Sequence, residues 1–530
     1  AASGLSSAAL VAVINTALSP EAAYPELLPW AFGALVAVMA LTRIGSSVLV
    51  LRLGQGAVFQ LRLHLSRVIL RAPLRQLQEL GAARLMAHLT EDINAITEAF
   101  TLIPTLCIEG VIVAACLGYL AWLSGPLAAG VLGFAVVGVL FFRFADSKGI
   151  AAFKAARQHD DALYAHFRAL TEGTKELKIH RPRREAFFHA VLEPTARACR
   201  RHYTHGVSLY VIAGNLANAL FYVALGLILF VVPEWGLYSP DTLRGYTLTI
   251  LYMMMPLTGV LDGLPILGQA SVSLDKLEGL SQSLQTDAAP TAGRPASVPS
   301  RAGVRVQLSG VTHRYRRENE EGDFALGPVD LVLAPGEITF LIGGNGSGKT
   351  TLAMILLGLY IPEAGSVTLN GKSIDDSNRE HYRQHFSVVF SDFFLFDRLL
   401  GLPQRGLDAQ ARGYLEKLRL DRSVGIVDGE FSTISLSQGQ RKRLALLTAY
   451  LEDRPVYVFD EWASDQDPVF RKVFYTVLLP ELRARGKTVL VITHDDGYFG
   501  VADRCIKLEF GRIVDDASRV ERFVDAQLAS

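Results

Sequence analysis

Long apolar runs recur through the first half of the chain and stop before residue 280. After about residue 300 they give way to short apolar strands set between amphipathic helices. A helix needs about 20 apolar residues to cross the ~30 Å hydrocarbon core of a bilayer. Six stretches answer to that pattern, at 3–19, 27–51, 98–122, 126–145, 207–232 and 246–269. The first is short and has neither a basic leader nor a cleavage-site pattern, so it is expected to be the remainder of a helix that starts before residue 1.

Cations are shared unevenly among the connections. Segments 19–29 and 124–126 hold no Lys or Arg, and 232–246 holds only Arg244. In contrast, 52–90 carries Arg52, Arg62, Arg67, Arg71, Arg75 and Arg84, and 143–205 includes Lys175, Lys178, Arg181, Arg183 and Arg184. Positive charge is retained on the cytoplasmic side, which places both long connections and the C-terminal half in the cytoplasm and agrees with an even number of spans. Both connections are helical in pattern, as expected of membrane helices that run on into water; a solvated amphipathic surface gives the same pattern.

Three ionisable residues, Arg43, Glu109 and Asp262, fall within or close to apolar spans. A charge at membrane depth is costly and faces water, a partner or the bundle interior. They are candidates for a polar substrate cavity, or for a structural Arg–carboxylate pairing. Asn215/Asn218 and Tyr210/Tyr222 are candidates for the same space, or for interhelical hydrogen bonds.

Residues 282–303, QSLQTDAAPTAGRPASVPSRAG, are rich in Ala, Pro, Ser and Gly without hydrophobic periodicity. They are expected to form an extended linker between a membrane domain (1–281) and a soluble domain (304–530). The chain has 52 Lys+Arg against 52 Asp+Glu, so no bulk field attracts nucleic acid, and no aromatic-and-basic patch of that kind is present. The four cysteines, Cys107, Cys116, Cys199 and Cys505, form no CxxC pair and no cluster with His, so neither a disulfide nor a metal site is expected.

The soluble half carries the chemistry. An apolar strand, Glu337–Ile342, runs directly into Gly343-Gly344-Asn345-Gly346-Ser347-Gly348-Lys349-Thr350-Thr351, and an apolar helix pattern follows. This is a complete GxxxxGK[ST] in the strand–loop–helix setting it requires. Glycines let backbone N–H groups wrap a phosphate, and the helix start adds positive dipole. Lys349 is expected to reach the β- and γ-phosphates of ATP, and the Thr350 hydroxyl to hold Mg2+. A second apolar strand, Val456–Phe459, ends in Asp460-Glu461. Acids at the carboxyl end of such a strand lie beside the phosphate loop, so Asp460 is expected to serve Mg2+ and Glu461 to polarise an attacking water; two adjacent acids at a helix N-cap and first turn would be the structural alternative.

Between these motifs lies Leu436-Ser437-Gln438-Gly439-Gln440, then RKRLALLTAY. LSQGQ resembles the LSGGQ signature of ABC-transporter nucleotide-binding domains, and the resemblance runs in order from about 304 to 515. It implies that Tyr315 stacks on adenine, that Ala463–Asp467 is the D-loop, with Asp467 at the nucleotide interface, and that His494 contacts the γ-phosphate. In this family the signature of one subunit caps the ATP held by the other, so Ser437 and Gly439 would act in trans, with Gln438 and Gln440 as further candidates for contact with ATP. One cassette per chain then implies a homodimer.

The resemblance predicts a polytopic α-helical membrane domain of six transmembrane helices, exporter type, fused to an α/β P-loop ABC nucleotide-binding domain. One departure stands out. Val388–Phe396 reads VVFSDFFLF, so Ser391 occupies the place of the family's Q-loop glutamine, with Asp392 beside it as a further candidate for Mg2+ or water. This FSDxxLF variant, LSQGQRKRLAL and DEWASDQDP together resemble the bacterial subfamily of pyoverdine- and syringomycin-type exporters. That implies ATP-driven export of a cyclic or non-ribosomal peptide or siderophore precursor across the inner membrane, with membrane lipid around the protein. A lipid or multidrug exporter is the alternative; an ATP-gated channel or regulatory ATPase is disfavoured by intact Glu461 and His494. A soluble ATPase on an anchor would not need six spans.

Overall fold

The computed structural model describes residues 2–18, 26–285, 303–315, 324–403 and 405–517. The chain forms two compact units, Ala1–Ser66 with Met86–Leu280, and Arg67–Leu85 with Ser281–Ser530.

The first unit is helical: α1 Ala2–Ala17, α2 Leu28–Arg71, then, past the short helices α3 Leu74–Leu80 and α4 Ala82–Ala87, α5 Ile93–Leu123, α6 Gly125–Glu172, α7 Thr174–Ile179, α8 Arg181–Ala186, α9 Glu193–Gly226 and α10 Pro240–Gln285. Each predicted span falls on a different one of the long helices or α1. Among the described residues, three helical stretches are long and apolar enough to cross a membrane: Leu28–Arg71, Arg84–Leu123 and Pro240–Leu284. The other three apolar stretches, Ala2–Ala17, Gly125–Gly138 and Ala219–Trp235, are shorter. At 1.5 Å rise per residue the 44-residue α2 and 48-residue α6 far exceed a bilayer core, which fits helices that run on into water. The two basic connections are helical apart from brief breaks at 72–73, 81, 173 and 180.

Small residues set the helix contacts. A Cβ on Gly4 of α1 would lie 2.7 Å from Val111 of α5. On α10, a Cβ at Gly263 would lie 2.4 Å from Leu106 of α5, one turn from the close approach of Gly259 to Glu109. Where α1 ends, Arg244 donates to the Asn15 side chain (3.1 Å), and Asn15 donates to the Tyr119 hydroxyl (3.1 Å). Tyr246, fully buried, donates to the carbonyls of Leu120 and Ser124, so α1, α5 and α10 are tied at that end.

The expected linker begins later than predicted: α10 continues to Gln285. Leu277, Leu280 and Leu284 are buried at three- and four-residue spacing, so one apolar stripe carries the helix through 282–285 despite their polar composition. Residues 286–302 lie outside the described residues.

The second unit is α/β. Its strands are β1 Val306–Tyr315, β2 Phe324–Leu333, β3 Ile338–Ile342, β4 Ala364–Leu369, β5 Lys372–Ser373, β6 Phe386–Val389, β7 Ile426–Val427, β8 Glu430–Phe431, β9 Val456–Asp460, β10 Thr488–Ile492, β11 Arg504–Glu509 and β12 Arg512–Ala517. Its helices are α11 Lys349–Leu356, α12 Arg379–Arg383, α13 Leu407–Lys417, α14 Gln438–Glu452, α15 Pro468–Val473 and α16 Leu479–Ala484. The main sheet runs β12-β11-β3-β10-β9-β6, parallel except for β12, and an antiparallel sheet runs β2-β1-β4-β5. Strands β3, β9 and β10 are buried at every residue, which is why they read as unbroken apolar runs. Helix α3 belongs to this unit: Leu74 packs against its core, and the Tyr360 hydroxyl donates to Gln78 (2.6 Å).

Candidate functional site: a nucleotide site and a charged membrane cluster

The phosphate loop joins β3 to α11. Gly343 has φ 149°, and a Cβ there would lie 2.1 Å from the Leu508 carbonyl; Gly348 has φ 101°, and a Cβ would lie 2.8 Å from the Phe324 ring. Both need glycine, on conformation and on space. Lys349 folds back over the loop and donates to the carbonyls of Gly343 (2.8 Å) and Gly344 (3.0 Å). The Gly511 N–H in the β11–β12 turn holds the Ser347 carbonyl (3.0 Å). Asn345, Gly346 and Thr350 are exposed and Thr351 is half-buried, so the start of α11 is open to a ligand.

The carboxyl ends of β3, β9 and β10 converge here, because the parallel registers put Ile492 beside both Leu341 and Asp460. Asp460 is 2% exposed. Burial, reinforced by the neighbouring Glu461 charge, pushes its carboxyl up from the usual range. Burial likewise pulls Lys349 down, opposed by Glu461 and Asp460. Ser391 donates to Asp460 Oδ2 (3.4 Å), so the residue in the glutamine's place reaches the acid; Asp392 acts on it electrostatically. Asp460 Oδ1 and Ser347 Oγ are buried without a partner among the described residues. His494 Nε2 lies 3.4 Å from Glu461 Oε1. The turn after His494 is braced by Tyr475, whose hydroxyl contacts Thr493 Oγ1 (2.7 Å) and Asp495 Oδ2 (2.9 Å).

Signature residues form a second group. Ser437 caps α14 in a reciprocal box with Gln440, whose N–H reaches Ser437 Oγ (3.4 Å) while its side chain accepts from the Ser437 N–H (3.1 Å). Gln438 opens the helix. A Cβ on Gly439 would lie 2.8 Å from the Asp465 carbonyl, and the Gly439 carbonyl accepts from Gln466 Nε2 (3.1 Å). Asp467 caps α15 through the Phe470 N–H (2.9 Å) and pairs with Arg443. No hydrogen bond among the described residues joins Ser437–Gln440 to the phosphate loop of the same chain. Tyr315 ends β1, and its side chain lies outside the described residues.

Residues without a motif complete the picture. Lys442 is buried on α14 and bonds to the Glu461 carbonyl (2.9 Å) and to Asp465 (2.7 Å). The one signal in the sequence is a lysine at helical spacing from the buried Leu446, Ala449 and Tyr450.

In the helical unit, Glu109 of α5 packs on α10, with Oε2 buried and unpartnered among the described residues; a Cβ on Gly259 would lie 2.2 Å from it. Arg43 of α2 and Asp262 of α10, both exposed, lie within electrostatic reach of Glu109. Asn215 turns back to the Val211 carbonyl (2.8 Å) and Tyr222 is exposed; the side chains of Tyr210 and Asn218 lie outside the described residues.

Comparison with known proteins agrees with this architecture. The ABC transporter family model matches residues 326–464, and that of the ABC transporter transmembrane region matches 4–257. The chain belongs to the ABC transporter family, with one transmembrane region and one ATP-binding domain in a single polypeptide, and is an ATPase coupled to transport. Along 97% of its length it is 36% identical to the ATP-binding protein SyrD of Pseudomonas syringae pv. syringae, covering 92% of that protein. An ATP-dependent lipid A-core flippase of Alkalilimnicola ehrlichii is 28% identical over 91% of this chain and 82% of its own. The fold matches a bacterial Atm1-family ABC exporter with ATP bound at TM-score 0.78, 18% identity, and 100% and 97% coverage of the two chains.

Proposed function

We propose that the chain is one half of a homodimeric exporter that spans the bacterial inner membrane with six helices, α1, α2, α5, α6, α9 and α10, and holds its ATPase unit in the cytoplasm. The observation that carries the catalytic part is the convergence of Lys349, Asp460, Glu461 and His494 at the ends of three adjacent parallel strands. In this reading the phosphate loop from Gly343 to Thr351 holds the phosphates, and Tyr315 holds the base. Asp460 and Thr350, helped by Ser391 and Asp392, hold Mg2+. The fit to a cation rests on the buried, unpartnered Asp460 Oδ1 beside an acid already crowded by Glu461. When bound, the ion would supply charge neutralisation on the phosphates.

Glu461 orients the attacking water and His494 meets the γ-phosphate. Ser437, Gln438, Gly439 and Gln440, with Asp467 alongside, cap the nucleotide of the partner subunit. Two ATP molecules then close the dimer, because the full set of contacts exists only in the closed state. The long helical connections carry that closure to the membrane helices, and hydrolysis resets them.

The proposed cargo is an amphiphilic cyclic or non-ribosomal peptide, lipopeptide or siderophore precursor, bound where Arg43, Glu109 and Asp262 meet. The FSDxxLF departure at Ser391 and the near full-length likeness to SyrD support this over a lipid or multidrug substrate. The likeness to lipid A-core flippases keeps a lipid cargo as the second reading. The test is ATP hydrolysis by the full chain in lipid nanodiscs, titrated with cyclic lipopeptides, siderophores, lipid A and amphiphilic drugs, with Glu461→Gln as the blank. Saturable stimulation by peptides alone supports the peptide reading. Equal stimulation by lipid or drugs replaces it.

A further inference from the structure

One buried side chain joins the signature helix to the residue proposed to orient water. Lys442, on α14, is 1% exposed. Its Nζ donates to the Glu461 carbonyl (2.9 Å) and to Ser464 Oγ (3.2 Å), and pairs with Asp465 Oδ2 (2.7 Å). In return the Lys442 carbonyl accepts from Trp462 Nε1 (2.9 Å), so the contact between α14 and residues 461–465 is fastened in both directions.

Glu461 needs that support. It lies in the left-handed region (φ 48°, ψ 34°), which a residue with a side chain occupies only when its surroundings dictate it. Its N–H donates to the Ile492 carbonyl (3.0 Å), and its carbonyl accepts from Lys442, from Ser464 Oγ (2.7 Å) and from the Ser464 N–H (3.3 Å). With both ends of the residue pinned, the side-chain torsions alone set where the carboxylate points. An apolar residue would fill the space at Lys442 without the cost of burying an ammonium. The acceptors that meet this cost all lie within residues 461–465.

We propose that Lys442 is a positioning residue for ATP hydrolysis: it fixes the backbone of Glu461, and so the aim of its carboxylate, to the helix that Ser437–Gln440 open. The proposal rests on Glu461 as the water-orienting residue. In the proposed dimer the start of α14 caps the partner's ATP, so Lys442 links the cap of one site to the water of the other, and its loss lowers cooperativity as well as rate.

The experiment measures steady-state MgATP hydrolysis, nucleotide affinity and melting temperature for the full chain in nanodiscs. It compares wild type with Lys442→Gln, Asp465→Asn, the double variant and Glu461→Gln. Loss of the charge-assisted hydrogen bond that fixes the Glu461 backbone predicts about a tenfold fall in kcat for Lys442→Gln, with KM for ATP within about twofold and a Hill coefficient moving toward one. Asp465→Asn falls about threefold, and the double variant is no slower than Lys442→Gln, as expected of one coupled unit. An unchanged kcat overturns the proposal, as does a fall in kcat that only tracks losses of ATP affinity and melting temperature. If Lys442→Gln does not fold, Asp465→Asn decides, because Asp465 is half-exposed: a lower kcat at constant KM supports the proposal, and no change overturns it. A Glu461→Gln variant as active as wild type would remove the reading of Glu461 itself, which is a separate result from any Lys442 outcome.

Discussion

The two units solve opposite solvent problems. In the ATPase unit the strands that carry the chemistry are buried at every residue, and the helices beside them enclose a continuous aromatic and aliphatic core. In the helical unit the most apolar 18-residue stretch of α2 has none of its residues buried, and Trp30, Leu41, Ile44 and Met255 all stand exposed. Apolar surface of that extent is untenable in water and normal in lipid. The difference extends to the charges. Glu461 is pinned through its backbone N–H and carbonyl, and Lys442 has acceptors at Glu461, Ser464 and Asp465, while Arg43 and Asp262 stand exposed on separate helices. Under the proposed function, the fixed frame serves ATP and the charges shared by three helices serve a cargo that must be bound and then released.

Four experiments bear on that contrast, in falling order of effect. Glu461→Gln should cut kcat by at least about 100-fold while ATP still binds, since removing a group aimed at the transition state leaves ground-state contacts in place. Binding should be followed with a fluorescent nucleotide, and loss of binding would count against a rigid template. Gly259→Ala drives a methyl into the Glu109 carboxylate and should weaken half-maximal stimulation by cargo about tenfold. An unchanged cargo titration would remove Glu109 from the path. Ser391→Gln restores the longer side chain of the family and should change the Mg2+ concentration for half-maximal hydrolysis by about threefold, because Ser391 already reaches Asp460.

The smallest effect concerns Glu452, whose pKa is raised chiefly by burial, with the Ser387 hydroxyl (3.0 Å) opposing that rise. A raised folded-state value means that the ionised group weakens the fold above that value, and the penalty fades as pH falls to the ordinary carboxylate range. Glu452→Gln should therefore raise the melting temperature at neutral pH by about 2 °C, and by nothing near pH 4. A gain that is independent of pH would point to packing instead.

What was legible in the sequence divides along the same line. Gly343–Thr351 and Asp460-Glu461 are contiguous and each follows a buried strand, so motif and spacing pointed to them, whereas Ser437–Gln440 stood out only through its family resemblance. The long helices were legible because apolar length and cation placement follow from the membrane itself. Lys442 with Asp465, Glu109 with Gly259, and Tyr360 with Gln78 were not, since each pairing depends on how distant segments pack. The extension of α10 through 282–285 was hidden for a related reason: a single leucine, Leu284, carries the stripe, and composition averages it away.

The Tyr360–Gln78 hydrogen bond has a practical consequence for anyone who would excise the ATPase unit. The partners are 282 residues apart, so a fragment cut at residue 303 discards Leu74 and Gln78 and leaves their seat bare. Such a fragment keeps the whole phosphate loop and can report nucleotide affinity. Its solubility and melting behaviour will describe an open socket rather than the intact transporter.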